Sequence, residues 1–273
     1  MRNAKYSPTV NIMIRAAEKA ARSLIRDFGE VEQLQVSRKG PADFVSAADI
    51  RAEKIIHEEL SKAREGFGFM MEEQGEIEGE EGNESVWIID PLDGTTNFLH
   101  GIPHWAVSIA LQEKGEITTG VIYDPVKDET FWAEKGKGAF INNKRLRVSG
   151  RTNMQEAAIA MGTPKTGEED AVYNVFLEQL DAVLQRAAAT RRMGAASLDL
   201  AYVAAGRFDG YWEIGIQPWD VAAGAIIVKE AGGLVCDIDG RNDYVHGGTI
   251  LATNSQLQRD LRGLVTTTVK RAS

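Results

Sequence analysis

The stretch Trp87-Ile88-Ile89-Asp90-Pro91-Leu92-Asp93-Gly94-Thr95-Thr96-Asn97 decides how this chain is read. A short apolar run ending at a carboxylate has the pattern of a buried strand. Pro91 keeps Asp90 out of the helical conformation, so the chain is expected to turn there, reaching a second carboxylate three residues on. Two carboxylates at a tight turn can approach one cation from converging directions, and the turn frees the Leu92 carbonyl as a third hard oxygen. Oxygen-only ligation suits Mg²⁺. Gly94 admits close backbone approach, and the N–H groups of Gly94 and Thr95 can meet a phosphate if a helical turn starts there. The same aspartates would serve equally to cap a turn, and the stretch alone leaves both readings open.

Working outward, Met13, Ala17, Ala20, Leu24 and Phe28 recur at three-to-four spacing, which predicts an amphipathic helix over 9–28. A second helix is expected over 47–63, after the break at Lys39-Gly40-Pro41. Apolar runs at 67–71 and 86–89 read as buried strands. From 105 to 148, apolar runs alternate with Lys114-Gly115, Asp124-Pro125 and Gly136-Lys137-Gly138, a meander that implies an antiparallel sheet. After about residue 150 helix and strand alternate: strands at 157–161, 208–212 and 234–236, and helices at 168–188, 197–205 and 220–231. The class is therefore α/β (α+β). The chain is expected to form one unit over 1–273, with packed sub-halves of roughly 1–150 and 151–273.

A second stretch, Pro218-Trp219-Asp220-Val221-Ala222-Ala223-Gly224, sets an acid before a helix of small residues. Asp is a preferred helix N-cap, so Asp220 needs no chemistry unless the fold brings it to Asp90 and Asp93. The composition bounds the rest. The chain has 273 residues, 43% of them hydrophobic and 26% charged, enough to bury a sizeable core. Its net charge of −9, with no long basic block, argues against direct nucleic-acid binding. Seven acids fall between Glu72 and Glu84 with no Lys or Arg among them, and Gly75, Gly79 and Gly82 mark that segment as a loop. Cys236 is the single cysteine, which fits a reducing compartment. No secretory pattern or spanning apolar run is present, so a cytoplasmic location without membrane contact is expected.

Taken together, Asp90 to Phe98, Trp219 to Gly224 and the downstream Glu230-Ala231-Gly232-Gly233 resemble the two signatures of the inositol monophosphatase family, closest to its bacterial branch. The resemblance runs from the first helix to about Asn254. It implies a layered α/β/α/β/α fold, with an N-terminal antiparallel and a C-terminal mixed sheet, and usually a homodimer. Carried over position by position, it makes Glu72, Asp90, the Leu92 carbonyl, Asp93 and Asp220 ligands of two or three Mg²⁺ ions. Glu72 and Thr95, with Asp49 behind Thr95, would orient the attacking water. Asp93, Gly94, Thr95, Arg191, Gly194, Ala195, Ala196, Glu213 and Asp220 would line the substrate, Glu213 accepting hydrogen bonds from ring hydroxyls.

The activity so implied is hydrolysis of a small polyol phosphate, inositol monophosphate, by direct attack of a metal-activated water, with inhibition by lithium. Fructose-1,6-bisphosphate, histidinol phosphate and phosphoadenosine phosphate are alternative substrates within the family. An aspartyl-phosphate mechanism is disfavoured because its paired aspartates lie two residues apart, not three. Zinc is disfavoured because Pro103 interrupts His100 and His104 and no Cys is near. A mainly regulatory role, with contacts to the transcription or RNA-processing machinery through the acidic segment, is the alternative from another class.

Overall fold

The structure is a computed structural model and describes residues 6–34, 41–165 and 167–266. Helix α1 (Pro8–Leu34) buries Met13, Ala17, Ala20 and Leu24 completely, so the three-to-four spacing marks its inner face. Helix α2 (Pro41–Ala63) does the same with Ala48, Ala52, Ile56 and Leu60, and begins at Pro41 rather than residue 47. Pro is tolerated in a first helical turn, where its missing N–H has no partner to lose.

Strands β1 (Gly68–Met71), β2 (Gly75–Ile77), β3 (Ser85–Asp93), β4 (Ala106–Glu113), β5 (Glu116–Asp124), β6 (Glu129–Glu134), β7 (Gly138–Ile141) and β8 (Lys144–Arg145) form one sheet in the order β2-β1-β3-β4-β5-β6-β7-β8. The meander is antiparallel as expected, but β1 runs parallel to β3, so this sheet is mixed. The acidic segment is also not all loop. Gly75–Ile77 pairs back on β1 as an exposed edge strand, whose Glu76 disfavours pairing with another chain.

The second sheet contains β9 (Ala158–Met161), β10 (Ala189–Arg191), β11 (Gly210–Ile214), β12 (Leu234–Cys236) and β13 (Thr249–Thr253), in the order β10-β9-β11-β13-β12 with both parallel and antiparallel pairs. Helices α5 (Ala196–Ala204) and α6 (Pro218–Glu230) lie between the two sheets, and α4 (Asp170–Leu184) and α7 (Gln258–Thr266) cover the outer face of the second. The helix expected at 168–188 is thus trimmed at both ends by Glu169 and Gln185. With α1 and α2 on the far face of the first sheet, the order of layers is α/β/α/β/α.

Small residues make the central layer possible. A Cβ at Gly120 of β5 would come within 2.7 Å of the Ala223 carbonyl, and one at Gly224 within 2.5 Å of Leu200. The sequence Val221-Ala222-Ala223-Gly224-Ala225 therefore lets α6 sit close to both the sheet and α5, and all five residues are buried. That packing fixes where α6 begins, and with it Asp220. Among the described residues no helix is long and apolar enough to cross a membrane.

Candidate active site

Strand β3 does not stop at Asp90 but continues to Asp93, and its pairing with β4 slips on the way. Asp90 faces Ser108 and Asp93 faces Ala106, so two residues, Pro91 and Leu92, oppose one. This is a β-bulge, and Pro91 lies in it, where a missing N–H costs the ladder nothing. In a regular strand residues three apart point to opposite faces. The extra residue reverses that parity and lets both carboxylates join one cluster, in which the Asp93 charge acts on Asp90. The Asp90 carboxylate also accepts the Leu92 N–H at 2.9 Å. Gly94, with φ of +95°, then turns the chain into the short helix α3 (Thr95–Leu99). A side chain at 94 would strike the His104 carbonyl at 3.0 Å, so glycine is required there both for its dihedral and for space.

Glu72 follows β1, held by its backbone N–H on the Ile89 carbonyl, and its side chain hydrogen-bonds Asp90. Its outer surface meets solvent, yet desolvation of the carboxylate and the Asp220, Glu73 and Asp93 charges push it up to about 7. The turn carrying it is fastened from behind: Glu53 of α2, fully buried, accepts the N–H groups of Glu73 and Gln74, both at 2.9 Å. One helical turn earlier, Asp49 is buried with Oδ1 unpartnered, and burial followed by the charge of Glu72 pushes it up to about 9. Thr95 does not hydrogen-bond Asp49. Its hydroxyl donates instead to the Leu92 carbonyl at 3.0 Å.

Asp220 is the third residue of α6 rather than its cap, because Pro218 opens the helix. Its Oδ2 nevertheless serves the helix end, accepting the Gln217 N–H at 2.8 Å. The capping role and proximity to Asp90 therefore coexist, since burial and the charges of Glu72, Asp93 and Asp220 together hold Asp90 well above the ordinary carboxylate range. Asp93 reaches across to α5, where Oδ1 accepts the Ala196 N–H at 3.2 Å and Oδ2 accepts the Ser197 N–H at 2.8 Å and the Ser197 hydroxyl. Those donors and the Asp220 charge act in opposite senses, and burial leaves Asp93 pushed up to about 7.

Of these acids, Asp93 and Asp220 open onto a cleft of about 140 Å³ also lined by Arg192, Gly194, Asp199 and Glu213, among others. Glu213 enters from β11, takes the Tyr211 hydroxyl, and is pushed up to about 7 by burial. A Cβ at Gly162 would overlap its carboxyl at 1.8 Å, so the bare backbone at 162 provides the space Glu213 occupies. Gly194, with φ of +82°, is held by Asn97, whose amide donates to the carbonyls of His104 at 2.8 Å and Met193 at 2.9 Å. Arg191 is turned away, its guanidinium on the Thr190 carbonyl, and it is Arg192 that lines the cleft. Asp199 also lines it, a residue that the sequence, read only as a helix over 197–205, gives no reason to single out.

The donor set suits a hard cation. Glu72, Asp90, Asp93 and Asp220 are oxygen donors with spare lone pairs, drawn together without a compensating Lys or Arg in the cluster beyond the weak pull of Lys165 on Asp220. Among the described residues no three acids are already gathered round one point at ligand spacing, as expected of carboxylates that repel one another.

The family model described as "Inositol monophosphatase family" matches residues 5–272. The inositol-1-monophosphatase of Mesorhizobium japonicum is 54% identical over 93% of this chain and 95% of its own. The Nus factor SuhB of Pseudomonas aeruginosa is 45% identical over 91% of this chain and 92% of its own. Among solved structures, the extragenic suppressor protein SuhB of Bartonella henselae superposes with a TM-score of 0.87 at 53% identity, covering 95% of this chain and 98% of that one.

Proposed function

As this chain belongs to the inositol monophosphatase family, we propose that it is a Mg²⁺-dependent hydrolase of inositol monophosphate, working by direct attack of water on the phosphate. The observation that carries this reading is that Glu72, Asp90, Asp93 and Asp220, from three separate elements, lie near enough for their charges to act on one another, with Asp93 and Asp220 lining the cleft that Glu213 also lines. Phosphate monoesters hydrolyse so slowly unaided that very large transition-state stabilisation is needed. Divalent ions bound to those four carboxylates and the Leu92 carbonyl would supply it, by neutralising charge on the phosphate and lowering the pKa of water.

The chain's own side chains have distinct tasks. Glu72 and Thr95 orient the water, and Asp49, buried one helical turn before Glu53 where it feels the Glu72 charge, supports that pair. Gly94 and Thr95 present N–H groups to the phosphate at the start of α3. Gly194, Ala195, Ala196 and Glu213 hold the polyol, with Arg192 in the place first expected for Arg191. A cytoplasmic homodimer completes the reading, and sedimentation would test the dimer.

Release of phosphate from inositol 1-phosphate with and without Mg²⁺ tests the function. A preference for histidinol phosphate or fructose-1,6-bisphosphate in the same panel would defeat the inositol assignment. The likeness to proteins named Nus factor favours a second reading, contact with transcription machinery. If an inactive Asp90→Asn variant fully rescues a deletion strain, the regulatory role prevails.

A further inference from the structure

Resting on the phosphatase reading above, we propose that Asp199 is a specificity-determining residue that binds substrate hydroxyls in the cleft. Asp199 belongs to the first turn of α5, its N–H on the Ala195 carbonyl at 3.0 Å. The residue is only 1% exposed, it lines the cleft, and its Oδ1 has no hydrogen-bond partner. Its neighbours Leu198 and Leu200 are fully buried, so the helix needs no acid here for solubility or packing. A buried carboxyl oxygen left without a partner is costly, and a ligand that fills the cleft would recover that cost.

The surroundings define that ligand. Asp199 from α5 and Glu213 from β11 both line this wall, and among the described residues Arg192 is the one cationic side chain lining the cleft. Two carboxyls accept from neighbouring hydroxyls, which a polyol supplies and a simple alkyl or aryl group does not. Burial, with the charges of Asp93 and Glu213, also holds Asp199 well above the usual carboxylate range, so it can donate to a hydroxyl as well as accept from one. The wall therefore matches neutral hydroxyls, which can donate to or accept from either carboxyl.

The test compares kcat/KM for inositol 1-phosphate with that for p-nitrophenyl phosphate, in excess Mg²⁺, in wild type, Asp199→Ala and Asp199→Asn. A site built to bond a hydroxyl discriminates strongly against ligands that cannot bond it. The ratio of the two constants should fall ten- to hundredfold in Asp199→Ala, and much less in Asp199→Asn, which keeps an accepting oxygen at the same reach. If Asp199→Ala does not fold, Asp199→Leu, similar in size and apolar, is read by the same ratio. An unchanged ratio, or an equal loss on both esters, overturns the proposal and makes Asp199 a structural residue. Wild-type protein that releases phosphate from neither ester overturns the phosphatase reading itself, and this proposal with it.

Discussion

The acid cluster makes the stability of the protein depend on pH and on metal in a way that can be worked through before any activity is measured. Asp93 is pushed from 3.8 to about 7, so between those values the folded protein holds a proton that the unfolded chain has lost. Stability from this group is fully present below about pH 4 and is lost as pH rises through 7. Taken at face value the shift corresponds to an upper bound of about 4 kcal/mol. Glu72 acts in the same direction over a similar window, discounted for its open side, and Asp49 extends it towards pH 9. Among groups with lowered values, Glu59 beside Lys19 loses its contribution only below about pH 4.5, whereas His104, pushed down to about 4 by burial, gains stability as pH rises to 6.5 and offsets up to about 2 kcal/mol of the loss above pH 5. Metal-free protein in EDTA should therefore melt several degrees lower at pH 8 than at pH 5, since 1 kcal/mol moves Tm by roughly 2–4 °C in a chain of this size. A cation that binds only the folded state restores about 2.7 kcal/mol at a hundred times its Kd. Melting curves at pH 5 to 8, in EDTA and in Mg²⁺, check both statements, and Asp93→Asn should flatten the metal-free slope. A metal-free Tm that rises with pH over this interval, or no recovery in Mg²⁺, would refute the view that these carboxylates face one another uncompensated.

Asp93→Asn should lower phosphate release at least a thousandfold, about 4 kcal/mol of transition-state stabilisation, while thermal melts in EDTA show the chain still folded; unchanged kcat in excess Mg²⁺ removes Asp93 from the machinery. Gly224→Ala drives a methyl into Leu200 and should cost about 1–3 kcal/mol in urea unfolding with little change in m-value. Asn97→Ala strips the donor shared by the His104 and Met193 carbonyls, at about 1–3 kcal/mol. It should raise KM for inositol 1-phosphate more than it lowers kcat, because the loop it frees lines the cleft around Gly194.

What could be read from residues alone follows the range of the physics. The three-to-four spacing of α1 and the turn formers of the meander are local signals, and both elements form where the spacing puts them. The parallel pairing of β1 with β3 is not local: no residue in either strand records its neighbour's direction. Strands β10 and β13 and helix α7 were not anticipated, the first being three residues long and the others following a glycine-rich, irregular stretch. Pro91 between two aspartates reads locally as a turn, whereas in the sheet it sits in a bulge that keeps the strand going. The four-residue spacing of Asp49 and Glu53 on α2 was available and pointed to one face bearing two acids, though not to the Glu73 and Gln74 amides that Glu53 meets. For Arg191 and Arg192, adjacent in a strand end, composition cannot tell which one turns inward.

The Asp93 carboxylate ties the β3 bulge to the first turn of α5, its two oxygens each engaged with backbone that belongs to the polyol-facing helix. A cation that pulls on this carboxylate pulls α5 with it, and Asp199 rides in the same turn. If Asp93 holds an ion as proposed, these two backbone hydrogen bonds would couple its occupancy to the position of Asp199.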